Sequence, residues 1–497
     1  MARTSIANPT LRALKPLAYG TDKPIQTYHH PLKKVTEKGL VSIGSALGKE
    51  VNNRLPRRIP TQGYRLNGSV IHNERMLATR SLWNAIGHEG VIALVERISD
   101  TEAIEMTEHY GAHNYHPMPV NIVRGNGAWV EDGSGKKYID CVGAYSAVAH
   151  GHLNEAVVTA LKAQLDKIAV TSRAFYTTEV ALFLKGLAEY TELEMVCPMN
   201  TGAEAVETCI KLARKWAYTV KGVPEDQAEI IVCNDNFHGR TTTIVGFSTE
   251  SNYKRGFGPF TPGFRAIPFG NLEALEKAIT PNTAAFLAEP IQAEGGIIVP
   301  PPGYLAAVRR LCNENQVLLI WDEVQTGFCR TGKKFAWMYE DSKPDLLAVG
   351  KPLGGGILPV SAAVGSKAVI SVFNPGDHGS TFGGNPLASV VALTALAEME
   401  NGDFAGRATV LGDKFQAALR ALPYSQIVDV RGKGLLIGLE FDSKVDTHKL
   451  TERFIANGIL TKETRNHTYR FAPPLVVEED LIDEIMNRVE TSLKETL

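Results

Sequence analysis

Lys351 and Asp322 are the residues whose settings point most directly to chemistry. The apolar run Leu318-Leu319-Ile320-Trp321 ends in Asp322-Glu323, so a strand delivers a carboxylate at its tip. Taken alone, an acid after a strand is more commonly a helix cap or a loop charge. A second apolar run, Leu346-Leu347-Ala348-Val349-Gly350, delivers Lys351, and Pro352-Leu353-Gly354-Gly355-Gly356 follows. A lone lysine there would be a solvated charge. Here a buried strand leads into it, and a glycine-rich loop leaves room for a bulky planar group. A partly desolvated lysine has a lowered pKa and becomes a competent amine nucleophile. Met199-Asn200-Thr201-Gly202-Ala203-Glu204 opens a helix with small residues, where backbone N–H groups and the helix dipole favour an anion. By itself this reads equally as a plain capped helix. Asn236-Phe237-His238-Gly239-Arg240-Thr241 adds an aromatic face and a guanidinium suited to a carboxylate.

A carboxylate, an amine, an anion-ready helix start and an aromatic plate together match one cofactor, pyridoxal 5'-phosphate. The carboxylate keeps the pyridine ring protonated, so that it accepts electrons as substrate loses a proton. The lysine holds the cofactor as a Schiff base, yields it to a substrate amine and then shuttles the proton. Each signal is weak singly; the combination is not.

These residues need a scaffold that brings strand ends together. Glu229–Cys233, Ala284–Ala288, Val317–Trp321 and Leu346–Val349 read as short strands, and Thr201–Tyr218 and Pro302–Asn315 as helices. The alternation predicts an α/β domain around a largely parallel sheet buried on both faces. In such sheets ligands bind beyond the carboxyl ends of the strands, which is where the four segments lie. Arg124–Asp140 reads as an antiparallel hairpin turning at Asp132-Gly133-Ser134-Gly135. From Ser81 to Glu108 the apolar spacing is helical.

The 497 residues suit two or three domains, and 44% hydrophobic with 21% charged content is ordinary for a globular protein. No apolar run approaches the roughly 18–20 residues of a membrane span; Ala388–Leu396 reads as a buried helix segment. The six cysteines show no C-x-x-C spacing and read as reduced core thiols. Net charge is −2 but unevenly placed: residues 1–80 carry +10 and the remainder −12. The proline-broken basic head reads as a partly ordered extension, with a cleaved presequence or a nucleic-acid arm as alternatives. The expected compartment is the cytoplasm, or the mitochondrial matrix if the head is a presequence. Gly125-Asn-Gly127 lacks the third glycine of a dinucleotide fingerprint, and His109, His113 and His116 lack metal-ligand spacing.

From about Tyr110 to Pro474 the chain resembles the class III aminotransferases, most closely their ornithine branch. The matching segments are Tyr110-Gly-Ala-His-Asn-Tyr-His-Pro117, Thr171-Ser-Arg-Ala-Phe-Tyr176, Met199-Asn-Thr-Gly202, Leu212-Ala-Arg-Lys-Trp216, Glu289-Pro-Ile-Gln292, Asp322-Glu-Val-Gln-Thr-Gly327, Gly379-Ser-Thr-Phe-Gly-Gly-Asn-Pro386 and Arg470-Phe-Ala-Pro-Pro474. The resemblance implies that Lys351 is the Schiff-base lysine, that Asp322 partners the pyridine nitrogen, and that Gln325 lies near the ring hydroxyl. Gly202 and Ala203 would bind phosphate through backbone amides, Phe237 would stack on the ring, and Thr381 would reach the phosphate held by the other subunit. Tyr115 and Arg240 would grip the ornithine α-carboxylate, with Tyr145 shaping the pocket. Arg470 would bind the α-carboxylate of glutamate or 2-oxoglutarate, and Glu294 would neutralise it while ornithine is bound.

The resemblance further implies fold type I: a large domain, residues 151–385, on a mostly parallel seven-stranded sheet, and a smaller α+β domain. The smaller domain would combine residues 96–150 and 386–497, with residues 1–95 as the basic extension. It implies a homodimer or higher homo-oligomer that binds no nucleic acid or membrane and moves the δ-amino group of ornithine to 2-oxoglutarate. Another ω-aminotransferase, acting on acetylornithine, 4-aminobutyrate or a diamine, is the nearest alternative. A catalytically silent scaffold or nucleic-acid binder is a remoter one. Two departures stand out. His238 follows Phe237 where the family often has tryptophan, and Gly151-His152-Leu153-Asn154 replaces a glycine-histidine-x-histidine-proline run; neither is expected to touch the catalytic groups.

Overall fold

The computed structural model describes residues 90–497 apart from Asn466. The basic head, and with it the presequence and nucleic-acid alternatives, lies almost entirely outside the described residues. So does the first part of the Ser81–Glu108 helical expectation. The remainder forms two helices, Val91–Arg97 and Asp100–Tyr110, rather than one. The break has a local cause. Ser99 accepts from the Glu102 N–H while the Glu102 carboxylate accepts from the Ser99 N–H, a reciprocal cap that starts a new helix. Neither helix has a buried residue, so the apolar spacing there does not mark a core face.

The predicted hairpin forms between β2 (Trp129–Asp132) and β3 (Lys137–Asp140), and β1 (Ile122–Asn126) pairs antiparallel with β2 outside it. Asp132 secures the turn by accepting from the backbone N–H groups of Ser134 and Lys136.

The main sheet comprises β4 (Met195–Met199), β5 (Glu229–Cys233), β6 (Phe264–Ile267), β7 (Thr283–Ala288), β8 (Leu318–Asp322), β9 (Leu346–Val349) and β10 (Ser361–Gly365). Its order is β4-β10-β9-β8-β7-β5-β6, parallel except for β10, which runs against both neighbours. Every residue of β7, β8 and β9 is buried. Because successive side chains leave a strand on opposite faces, these strands feed two cores. Phe286, Leu319, Trp321, Leu347 and Val349 enter one. Ala285, Leu287, Leu318, Ile320, Leu346 and Ala348 enter the other. That double burial is why the strands read as unbroken apolar runs instead of alternating ones.

A third sheet follows in the chain: β11 (Ile427–Lys433) and β12 (Leu436–Phe441) form an antiparallel pair. β13 (Ile459–Leu460) joins β3, while β14 (Lys462–Glu463) and β15 (Thr468–Phe471) complete the order β11-β12-β15-β14. Ala388–Leu396 lies within the helix Pro386–Asn401, and among the described residues no helix is long and apolar enough to cross a membrane. All six cysteines are unpaired, five of them buried.

Candidate active site

Five parallel strands of the main sheet deliver polar groups at their carboxyl ends. β4 leads through Asn200 and Thr201 into the helix Gly202–Trp216. The Thr201 hydroxyl accepts from the Glu204 N–H, leaving the Gly202 and Ala203 amides of the first turn without an intrahelical carbonyl. Glycine is needed at 202 by packing, since a Cβ there would lie 2.8 Å from Val324. Gly239 closes against the same turn: its Cβ would fall 2.7 Å from that of Ala203, at a backbone φ of +128°.

β9 ends at Val349, and Gly350 leads into a short turn of 3-10 helix that starts with Lys351 at φ +44°, left-handed for a non-glycine residue. Strain of this kind persists where the surroundings over-determine a conformation. The Lys351 amine donates to Gln325 Oε1 at 2.5 Å. Loss of hydration brings its pKa down to about 8; the negative charges of Glu294, Asp322 and Glu289 hold it up, while Arg470 pushes it down.

Asp322 closes β8 with 5% of its surface exposed. Its Oδ1 accepts from the Val324 N–H at 3.0 Å, and its Oδ2 lies 2.7 Å from His238 Nδ1. This corrects the expectation that the His238 departure leaves the catalytic groups untouched. Burial works against a charge on His238, but the hydrogen bond to Asp322 and the charges of Asp322 and Glu289 outweigh it and raise its pKa. The reason is strand order. β5, β7 and β8 are consecutive in the sheet, so His238 and Glu289, beyond the ends of β5 and β7, converge with Asp322 at the end of β8. The other departure does stay apart, with His152 bonded to Asp140.

Glu289 lies in one of the matching segments but is given no role from the sequence, although it follows β7 as Asp322 ends β8. Its carboxyl accepts from the Phe237 N–H at 3.0 Å and the Ala293 N–H at 3.1 Å, tying the aromatic plate to the loop that carries Glu294. Desolvation raises its pKa to about 7.

Arg470, on β15, is 2% exposed and forms an ion pair with Glu294. Burial alone would raise the Glu294 pKa, yet the charges of Arg470 and Lys351 bring it below the ordinary carboxylate value. The Arg470 guanidinium also lies 5.1 Å from the centre of the Tyr145 ring. Tyr145 sits among three left-handed non-glycine residues, Ala144, Tyr145 and Ser146. Arg240 stacks 3.7 Å from the Tyr253 ring and 5.5 Å from that of Phe237.

Lys351, Gln325, Asp322, Glu294, Arg470 and Tyr145 are thus linked by contacts or by mutual electrostatics, with Phe237 and Arg240 joined through Glu289 and Tyr253. Tyr115 and Thr381 are not drawn in. Tyr115 is 67% exposed, and among the described residues no hydrogen bond or ring contact joins it to Arg240. Thr381 is exposed beside Phe382.

The family model for class III aminotransferases matches residues 110–493. The chain belongs to the class III aminotransferase family. Among its relatives, the ornithine aminotransferase of Brevibacillus brevis is 50% identical over 393 residues, 79% of this chain and 98% of that one. The Bacillus subtilis ornithine aminotransferase is 49% identical with the same coverage of each chain. A crystal structure of the Toxoplasma gondii ornithine aminotransferase superposes with a TM-score of 0.79 at 42% identity, covering 80% of this chain and 95% of that one. The acetylornithine aminotransferase of Elizabethkingia anophelis is also 42% identical, with a TM-score of 0.73 over 80% of this chain and 99% of that one.

As a class III aminotransferase the chain is a pyridoxal-phosphate-dependent transaminase, and its residues fit that cofactor. They supply an amine of lowered pKa, a buried carboxylate backed by a histidine, and a glycine-walled helix start with free amides.

Proposed function

We propose that this aminotransferase moves the δ-amino group of ornithine to 2-oxoglutarate, giving glutamate and glutamate semialdehyde, whose own amine then cyclises onto its aldehyde. The Glu294–Arg470 ion pair carries the reading. The reaction requires one site to accept first a terminal amine on a carbon without a carboxylate, then an oxo acid whose reacting carbon bears one. An arginine neutralised by a neighbouring glutamate suits the first substrate. The same arginine, freed when an anion competes for it, suits the second. The identity to ornithine aminotransferases supports the same substrate.

When bound, pyridoxal phosphate supplies an aldehyde that joins amines and a ring that takes up the electron pair left by a departing proton. In this reading Lys351 holds the cofactor covalently and, once released, carries a proton to and from the substrate carbon. Asp322 keeps a proton at the ring nitrogen, and His238, hydrogen-bonded to its Oδ2, holds the carboxylate in place. Gln325 orients the Lys351 amine. Gly202 and Ala203 offer backbone N–H groups to the phosphate, and Phe237, fixed by Glu289, covers the ring. Arg240 and Tyr115 take the ornithine α-carboxylate, and Tyr145 limits the pocket next to Arg470. The exposed Thr381 and the adjacent Phe382, 56% exposed, suit contact with a second subunit of a homodimer, where Thr381 would reach the partner's phosphate.

The test is an absorbance spectrum of the holoenzyme with ornithine and no oxo acid. Loss of the long-wavelength cofactor band supports ornithine as donor, and retention of the band excludes it. Similarity to an acetylornithine aminotransferase keeps that substrate as the second reading. Tyr115→Ile separates the two: it weakens ornithine turnover if Tyr115 grips the α-carboxylate and leaves it unchanged otherwise.

A further inference from the structure

Arg330 is 0% exposed, and the only acceptors its guanidinium meets among the described residues are two backbone carbonyls. Nη1 donates to Leu435 O at 3.0 Å and to Pro473 O at 2.6 Å, whereas Nε and Nη2 have no partner among the described residues. A buried cation without an acid partner is an expensive arrangement, and such groups concentrate at functional sites. The chain is strained to deliver it. Phe328 and Cys329, immediately before Arg330, both adopt left-handed backbone conformations, φ +55° and +68°.

What Arg330 holds is specific. The Leu435 N–H donates to Arg330 O at 3.1 Å, so both polar backbone groups of Leu435 are bound by this one residue. The approach is close enough to demand glycine next door, because a Cβ on Gly434 would lie 2.4 Å from the Thr331 carbonyl carbon. Leu435 leads into β12, and β12 pairs with β15, Gly438 standing opposite Arg470. Pro473 lies three residues past Arg470 on the exit of β15. Because the two strands are antiparallel, Arg330 therefore fastens the entry of one and the exit of its neighbour at the same end of the pair, three residues from Arg470. Desolvation lowers the Arg330 pKa to about 9, and the positive charge of Arg470 acts in the same direction.

We infer that Arg330 is a positioning residue for Arg470: it fixes the β12–β15 pair so that the Arg470 guanidinium meets an incoming dicarboxylate, and its unneutralised charge adds to the attraction. This rests on the proposed role of Arg470 in binding the oxo acid.

The experiment compares holoenzymes carrying Arg330→Met, Arg330→Lys and Arg470→Ala. Each is titrated calorimetrically with glutarate, an unreactive dicarboxylate, and assayed for ornithine in the single-turnover half-reaction, with thermal melting alongside. Arg330→Met should raise the glutarate Kd about tenfold or more, and Arg330→Lys, which keeps the charge on a shorter side chain that reaches the two carbonyls less well, about three- to fivefold. The ornithine half-reaction should change less than about threefold in both, since that substrate does not use Arg470. Glutarate binding by Arg330→Met at wild-type strength would overturn the inference, as would equal weakening toward glutarate and ornithine, the mark of a purely structural residue. If Arg330→Met does not fold, Arg330→Lys decides on the same criteria. Arg470→Ala must itself weaken glutarate; if it does not, the reading of Arg470 fails and takes the inference with it, whereas an effect at Arg470 with none at Arg330 removes the inference alone.

Discussion

His238 Nδ1 lies 2.7 Å from Asp322 Oδ2, and both side chains are buried. The histidine is thus part of the environment of the carboxylate proposed to face the cofactor ring, even though 84 residues separate the two in the chain. The hydrogen bond to Asp322 and the charges of Asp322 and Glu289 raise the His238 pKa against the effect of its burial.

Replacing His238 with leucine should leave Asp322, among the described residues, with only the Val324 N–H as donor. Losing a charge-assisted hydrogen bond of about 1.5–3 kcal/mol corresponds to a fall in the first half-reaction rate of about 10–100-fold. Stopped-flow measurement with ornithine checks this, and His238→Asn, which keeps a donor, should recover part of the loss.

Lys351→Ala should abolish turnover, because both the covalent hold on the cofactor and the proton carrier are removed. Borohydride reduction followed by peptide mass analysis should place the cofactor on the Lys351 peptide of the wild type and nowhere in the variant.

The lowered Lys351 pKa gives a pH dependence for cofactor uptake by the cofactor-free protein. Only the neutral amine attacks an aldehyde, so the rate constant should fall about tenfold per pH unit below 8 and level off above it. Glu294→Gln removes a negative charge that holds this pKa up, and it leaves Arg470 unneutralised. Both changes move the inflection to lower pH. An inflection that stays in place or rises would contradict the charge coupling.

Glu294→Gln should also shift donor preference. With Arg470 no longer neutralised, α-amino donors such as glutamate gain relative to ornithine by about 10–100-fold, or about 1.4–2.8 kcal/mol. The ratio of kcat/KM for the two donors measures it.

Glu323, 0% exposed, accepts from the Ala336 and Trp337 N–H groups and the Thr326 hydroxyl. Burial raises its pKa to about 7, above its unfolded value. Its contribution to stability is therefore present in full at low pH and is lost as pH rises through 7. Glu323→Gln cannot satisfy three donors and should cost about 1–3 kcal/mol. It should also flatten the decline in melting temperature between about pH 4.5 and 7 that ionisation of this group causes. Melting curves across that interval test both effects.

The strands, and the polar groups they deliver at their ends, can be read from the residue pattern alone. The runs ending at Asp322 and Val349 are apolar at every position because both faces of those strands are buried, and that pattern is legible without a structure. The helix start at Gly202 and the turn at Asp132–Gly135 were legible too, because caps and turns depend on neighbouring residues. Which strand ends stand side by side depends on the order of the folded sheet. The order β5-β7-β8 brings His238 and Glu289 to Asp322, and the β12–β15 pairing brings Arg330 to the backbone flanking Arg470. Local spacing is silent on such contacts because periodicity tells which face a side chain occupies, not which strand lies next to it. The same limit explains the helices Val91–Arg97 and Asp100–Tyr110, where apolar spacing was present but no residue is buried among the described residues.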